Sequence, residues 1–111
     1  MKTYVQPGDI ITLIAPYAVL SGGGLLVGSI FGIAMSDALI SSEVEVKTTG
    51  VFDLPKTTGQ AWSQGARIYW DDTTKACTTT ASTNKLIGVA TAAALSADAV
   101  GRVLLTGAFT L

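Results

Sequence analysis

The sequence predicts an all-β domain assembled from two related β units, the second of which carries a polar hairpin insertion. Short runs rich in Val, Ile, Leu and aromatic residues recur along the chain, each stopped by a cluster of Gly, Asp, Ser or Pro, which is the signature of strands and turns. Glu43-Val44-Glu45-Val46-Lys47 alternates charge with valine at period two, as a strand with one wet face does. The third observation is internal similarity. Ser21 to Val27 followed by Ile30-Phe31-Gly32-Ile33-Ala34 matches Ser63 to Tyr69 followed by Leu86-Ile87-Gly88-Val89-Ala90.

The spacing tests that similarity. Gly32 stands 18 residues before Gly50 in KTTGVFDL, and Gly88 stands 19 before Gly107 in LLTGAFTL. The first parts of the two copies are offset by 42 and the second parts by 56, so the later copy holds 14 extra residues, which fall between Tyr69 and Leu86. They form a threonine-rich polar arm. This gives a single domain over 1–111, with an N-terminal arm at 1–6, a first unit at 7–55 and a second at 56–111.

Taken in order, Pro7-Gly8-Asp9 is a turn that opens the strand Ile10 to Ile14, closed by Ala15-Pro16 because proline removes a ladder donor and restricts its predecessor. Asp9 and Pro7 break any signal-peptide pattern over 2–18. Tyr17 to Ile40 holds one charge, Asp37, and a Gly24-x-x-x-Gly28-x-x-x-Gly32 spacing that in a membrane helix makes a dimer face. The glycine run at 22–24, the Ser36-Asp37 break and the matching second copy favour two strands joined by a turn. After the charged strand comes Val51-Phe52-Asp53-Leu54, then a polar linker from Pro55 to Gln60. In the second unit Ala66 to Trp70 is a strand stopped by Asp71-Asp72, and Leu86 to Ala90 is its hairpin partner. Ala90 to Ala97 reads as an alanine-rich strand and loop in preference to a short helix, and Gly101 to Leu105 with Ala108 to Leu111 closes the chain as strand.

Chemistry is sparse. With 7 basic and 8 acidic residues and no basic stripe, the chain lacks a nucleic-acid footprint. It has no histidine, and its one cysteine, Cys77, excludes an internal disulfide and is expected to be a bland surface or half-buried residue. Gly22-Gly23-Gly24 has no following Gly-Lys-Ser/Thr and reads as a turn, not a phosphate cradle. Asp71 and Asp72 with Asp53 would make a carboxylate cluster, but adjacent strand aspartates face opposite sides, so strand termination is favoured. Trp62, Tyr69 and Trp70 could stack bases or sugars; lacking a basic groove, they are assigned with Phe52 and Phe109 as packing or interface anchors. No cofactor, metal, membrane or small-molecule substrate is implied. Only 14% of residues are charged against 49% hydrophobic, more apolar surface than so small an interior hides, which points to a protein partner.

At the segments Val5-Gln6-Pro7-Gly8-Asp9, Gly50 to Lys56, Gly59-Gln60-Ala61-Trp62, Tyr69-Trp70-Asp71-Asp72, Leu86 to Ala90 and Gly101 to Gly107, the chain resembles a family of small tailed-phage and prophage proteins regarded as capsid cement or decoration proteins. The resemblance spans nearly the whole chain. It implies an all-β, barrel-like or sandwich body, a homotrimer on the outside of the phage head, the major capsid protein as partner and no enzymatic activity. Lys2, Thr3, Tyr4, Val5 and Gln6, an arm that can leave the body without unpairing a strand, are the candidate capsid contacts. The apolar Gly23 to Ile40 segment departs from the family pattern. The alternative readings are a carbohydrate- or host-surface-binding appendage using Trp62 and Trp70, and, more weakly, a small hydrolase using Asp71 or Asp72.

Overall fold

A computed structural model of the chain describes residues 8–107 and Thr110. Nine strands are described: β1 (Ile10–Ile14), β2 (Gly24–Val27), β3 (Ile30–Ala34), β4 (Glu43–Lys47), β5 (Val51–Pro55), β6 (Arg67–Asp71), β7 (Ala76–Thr78), β8 (Lys85–Ala90) and β9 (Val100–Leu105). They form two antiparallel sheets, in the order β1-β4-β3-β2 and β5-β9-β8-β6-β7. Among the described residues there is no helix, and the fold is the all-β one the alternation predicts. The Gly24, Gly28 and Gly32 series falls on β2, its turn and β3, and among the described residues no helix is long and apolar enough to cross a membrane.

Strip β7 from the second sheet and the two orders match strand for strand, β1, β2, β3 and β4 corresponding to β5, β6, β8 and β9. The loops match as well. Val19 and Ala38 exchange backbone hydrogen bonds as an isolated bridge, and so do Trp62 and Ala94. Gly22 N–H donates to Ala34 O, as Gly65 N–H does to Ala90 O; Ala15 N–H donates to Ser42 O, as Lys56 N–H does to Ala99 O. Gly22 and Gly65 both sit at positive φ, 85° and 87°, where a side chain would strain the backbone. The sheets part between Lys47 and Val51. The Val51-to-Leu54 segment, which the repeat spacing puts at the end of the first unit, therefore lies in the second sheet against β9.

The second sheet curls into a half-barrel because its last strand returns to its first: Lys56 and Cys77 form a parallel bridge, and Thr57 N–H donates to Cys77 O at 2.9 Å. A bulge between Ile68 and Tyr69 helps to bend β6. Its concave side holds Leu54, Trp62, Ile68, Trp70, Ile87, Ala90 and Val103, and Phe31 and Ile33 of the first sheet complete that core. A second core of smaller side chains, Ala15, Val19, Leu25, Ala34, Val44 and Val46, belongs to the first sheet alone. Gly24 permits the join, since a Cβ there would stand 2.8 Å from Phe31 and 2.9 Å from Trp70.

Candidate interaction surface

The two sheets are clasped by side chains from both. Trp70 is buried on β6 with its ring centroid 4.9 Å from that of Phe31. Its Nε1–H donates to Asp72 Oδ1 at 3.0 Å, and the same oxygen accepts the Tyr17 hydroxyl at 2.9 Å. Tyr17 Oη in turn accepts Leu26 N–H at 3.1 Å, and Lys75 Nζ lies 3.9 Å from the Tyr17 ring centroid, a cation over an aromatic face. Burial pushes the Tyr17 hydroxyl up to about 12, and the Asp72 carboxylate adds to the rise. Asp71 points elsewhere and accepts the Thr73 and Thr74 N–H groups, turning the chain at the strand end. The two aspartates are thus divided between a clasp and a turn.

Trp62 and Trp70 are each only 2% exposed, so neither ring offers a face to a sugar or a base. Trp62 lies against Gly101, where a Cβ would collide with its ring, and Lys56 Nζ stands 5.9 Å from its centroid. That lysine is itself buried, with Nζ donating to the carbonyls of Thr57 and Asp98 at 3.2 Å and of Ser96 at 3.5 Å. It ties down the loop between β8 and β9. Cys77, expected at or near the surface, is fully buried because β7 places it under the closing seam of the half-barrel. Burial raises its thiol to about 12, which leaves it unreactive. Phe52 packs half-buried against the same core, and Tyr69 is half-buried on the opposite face of β6. Lys2, Thr3, Tyr4, Val5, Gln6 and Phe109 lie outside the described residues.

The fold presents to solvent strand faces that carry both exposed aliphatic and charged side chains. The outer face of the second sheet carries Val51, Val100 and Leu104 at 51%, 54% and 42% exposure around the Asp53–Arg102 pair, whose Oδ1–Nε distance is 3.0 Å. The guanidinium holds the Asp53 carboxyl below its ordinary range. The first sheet shows Ile14 beside Glu43 and Glu45. At its tip Ala18, Val19, Leu20, Asp37, Ala38 and Leu39 line an open groove of about 330 Å³. A concavity of about 660 Å³ lies against the insertion and is walled mostly by hydroxyl and amide side chains, with Asp71, Asp72 and Lys85 beside them. Gln60 organises that wall, accepting Thr78 Oγ1 and Thr79 N–H and donating to Thr80 Oγ1. Among the described residues no three metal-ligating side chains gather. The clasp, the buried lysine and the paired outer faces escape a reading of the sequence, because each joins residues far apart in the chain; only the alternation in β4 and β9 signals where exposed faces would be.

The structure is thus a curled antiparallel β body whose outer faces mix exposed aliphatic side chains with a few charges. The chain belongs to the phage cement protein family, whose model matches residues 5–105. It is accordingly a structural phage protein and a virion component. Among curated proteins and solved structures none matches it.

Proposed function

We propose that the protein is a capsid decoration protein which binds the major capsid protein on the outside of the phage head as a homotrimer and stabilises the shell, without enzymatic activity. Membership of the cement family carries this reading. The exposed aliphatic side chains of both sheets and of the loop tips supply surface for such contacts. Binding to a closed lattice and not to its separated subunits lowers the free energy of the closed state by mass action, and several weak contacts per trimer add through effective concentration. The arm from Lys2 to Gln6 precedes the Pro7-Gly8 turn and is suited to add to a capsid sheet edge through backbone hydrogen bonds.

The experiment is to add the purified protein to expanded empty heads, then measure binding and protection against heat. Saturable binding with a raised head-melting temperature is expected. Deleting 1–6 should leave the protein's own melting temperature nearly unchanged and weaken head binding at least tenfold, about 1.4 kcal/mol for each arm removed. Heads left unbound and unprotected by the intact protein would end the reading, and undiminished protection by the truncated protein would move the contact from the arm to the body.

A further inference from the structure

The repeat makes the outer faces of the two sheets comparable position by position. Thr12, Glu43, Glu45 and Lys47 of the first sheet correspond to Asp53, Val100, Arg102 and Leu104 of the second. At the centre of the face the sign of charge reverses, from Glu45 to Arg102. The charge balance of the two units as a whole shifts the same way, from four carboxylates and Lys47 alone over 9–48 to four carboxylates and five cations over 51–105, although most of these groups lie off the two faces. Glu43 and Glu45 are exposed, and no hydrogen bond or ion pair of their carboxylates is found among the described residues. Arg102 uses Nε and one Nη on Asp53, and its other Nη is without a partner there. Each charged centre is flanked by exposed aliphatic side chains, Ile14 at 55% on the first face and Val51, Val100 and Leu104 on the second.

We propose that these faces dock on one another between copies, the first-sheet face of one molecule against the second-sheet face of the next. Sheet faces of like twist pack with strands nearly aligned, about 10 Å apart. Docking first face on first face would bring the glutamates of two copies together, and like charges in a drying interface cost several kcal/mol, about 2 or more; second on second would set two neutral Asp53–Arg102 pairs against each other and leave Glu43 and Glu45 without a partner. Only the head-to-tail pairing sets Glu43 and Glu45 of one copy beside Arg102 of its neighbour while covering the aliphatics of both. Such a heterologous contact yields a ring where its rotation closes and an open filament where it does not, and the homotrimer proposed above is the closed case. The inference rests on the oligomeric part of the proposed function and adds which surfaces make the ring.

The test uses the full-length protein in solution, without heads. One variant carries Glu43→Lys and Glu45→Lys, the other Val100→Glu and Leu104→Glu; mass is read by light scattering and native mass spectrometry at micromolar concentration. The wild type is expected as a closed oligomer, each variant alone as a monomer, and their mixture as a species holding both chains in equal numbers, because each retains the face the other lacks. A monomeric wild type, a variant that keeps the wild-type mass, or a mixture with no mixed species overturns the docking. Circular dichroism checks folding, and if a double variant is unfolded, Glu45→Gln and Leu104→Ser take its place, each expected to weaken association at least tenfold. Head binding is scored separately: wild-type rings that ignore heads would defeat the capsid reading and leave the docking intact, and head binding by a monomeric wild type would do the reverse.

Discussion

The first sheet and the second share a hydrogen-bond plan and differ in what fills it. Where Val19 and Val44 pack in the first, Trp62 and Gly101 pack in the second: the large ring enters one strand position and the facing residue gives up its side chain. Where Ala15 is buried in the first, the buried side chain in the second is Lys56. The first sheet ends in open loop tips and the second is closed by β7. A β framework set by turns and alternation tolerates large changes at some core positions while others, Ala34 and Ala90 or Val46 and Val103, stay the same, provided that volumes are exchanged locally.

The sharpest way to break the comparison is to exchange the contents. Trp62→Ala, and likewise Trp70→Ala, should cost about 3 to 5 kcal/mol, read from denaturant midpoints. Gly101→Val alone should cost about 3 kcal/mol, because its side chain enters the Trp62 ring. Combined with Trp62→Val it recreates the pair found in the first sheet, and the double variant should be less destabilised than the sum of the singles by about 1 to 3 kcal/mol. Strict additivity would show that the two positions do not exchange volume.

Lys56→Met should cost about 2 kcal/mol, since it leaves the Thr57, Ser96 and Asp98 carbonyls without their cation. Hydrogen exchange in the loop between β8 and β9 should quicken, while the corresponding first-sheet loop, which never had a lysine, stays as it was. An unchanged loop would remove the lysine from its tethering role.

Cys77→Ser should cost about 1 to 2 kcal/mol, as a hydroxyl replaces a thiol in a buried site. The alkaline limb of the stability profile is the finest probe. Tyr17 and Cys77 both have folded-state values raised to about 12, above their ordinary 10.0 and 9.0. The unfolded chain therefore loses these protons first as pH rises. Their contribution is fully present below pH 9 and is lost between about pH 9 and 12. Cys77→Ser should flatten the lower part of that fall and Tyr17→Phe the upper part. A fall of the same slope in the variant carrying both substitutions would assign it to other groups.

Much of this architecture could be read in one dimension. The Glu-Val-Glu-Val-Lys run is β4, with its valines buried and its glutamates exposed, because side chains alternate across a strand whatever the partner. The paired hairpins β2–β3 and β6–β8 follow from glycine-marked turns and apolar runs. The offset of 42 read from the sequence sets Gly65 against Gly23; the structure pairs it with Gly22, one residue away, because equivalent turns are defined by backbone conformation and hydrogen bonding and not by residue type. β7 left no such trace: Ala76-Cys77-Thr78 has little strand character by itself and becomes a strand because β6 offers it an edge and the barrel seam buries Cys77.

Local sequence thus determined the strands, their wet and dry faces and the turns, all of which depend on neighbours within a few residues, and the duplication is legible because the same local pattern recurs. Tertiary structure decided which strands pair, putting β4 beside β1 and β9 beside β5, and so moved Val51 to Leu54 into the second sheet. It also decided that Lys56 would be buried, that Asp72 would join Tyr17 to Trp70, and that Glu45 and Arg102 would occupy matching places on two outer faces. Pairing across long loops is chosen by the total burial and hydrogen bonding of the whole assembly, a sum to which each residue contributes and which none of them carries alone.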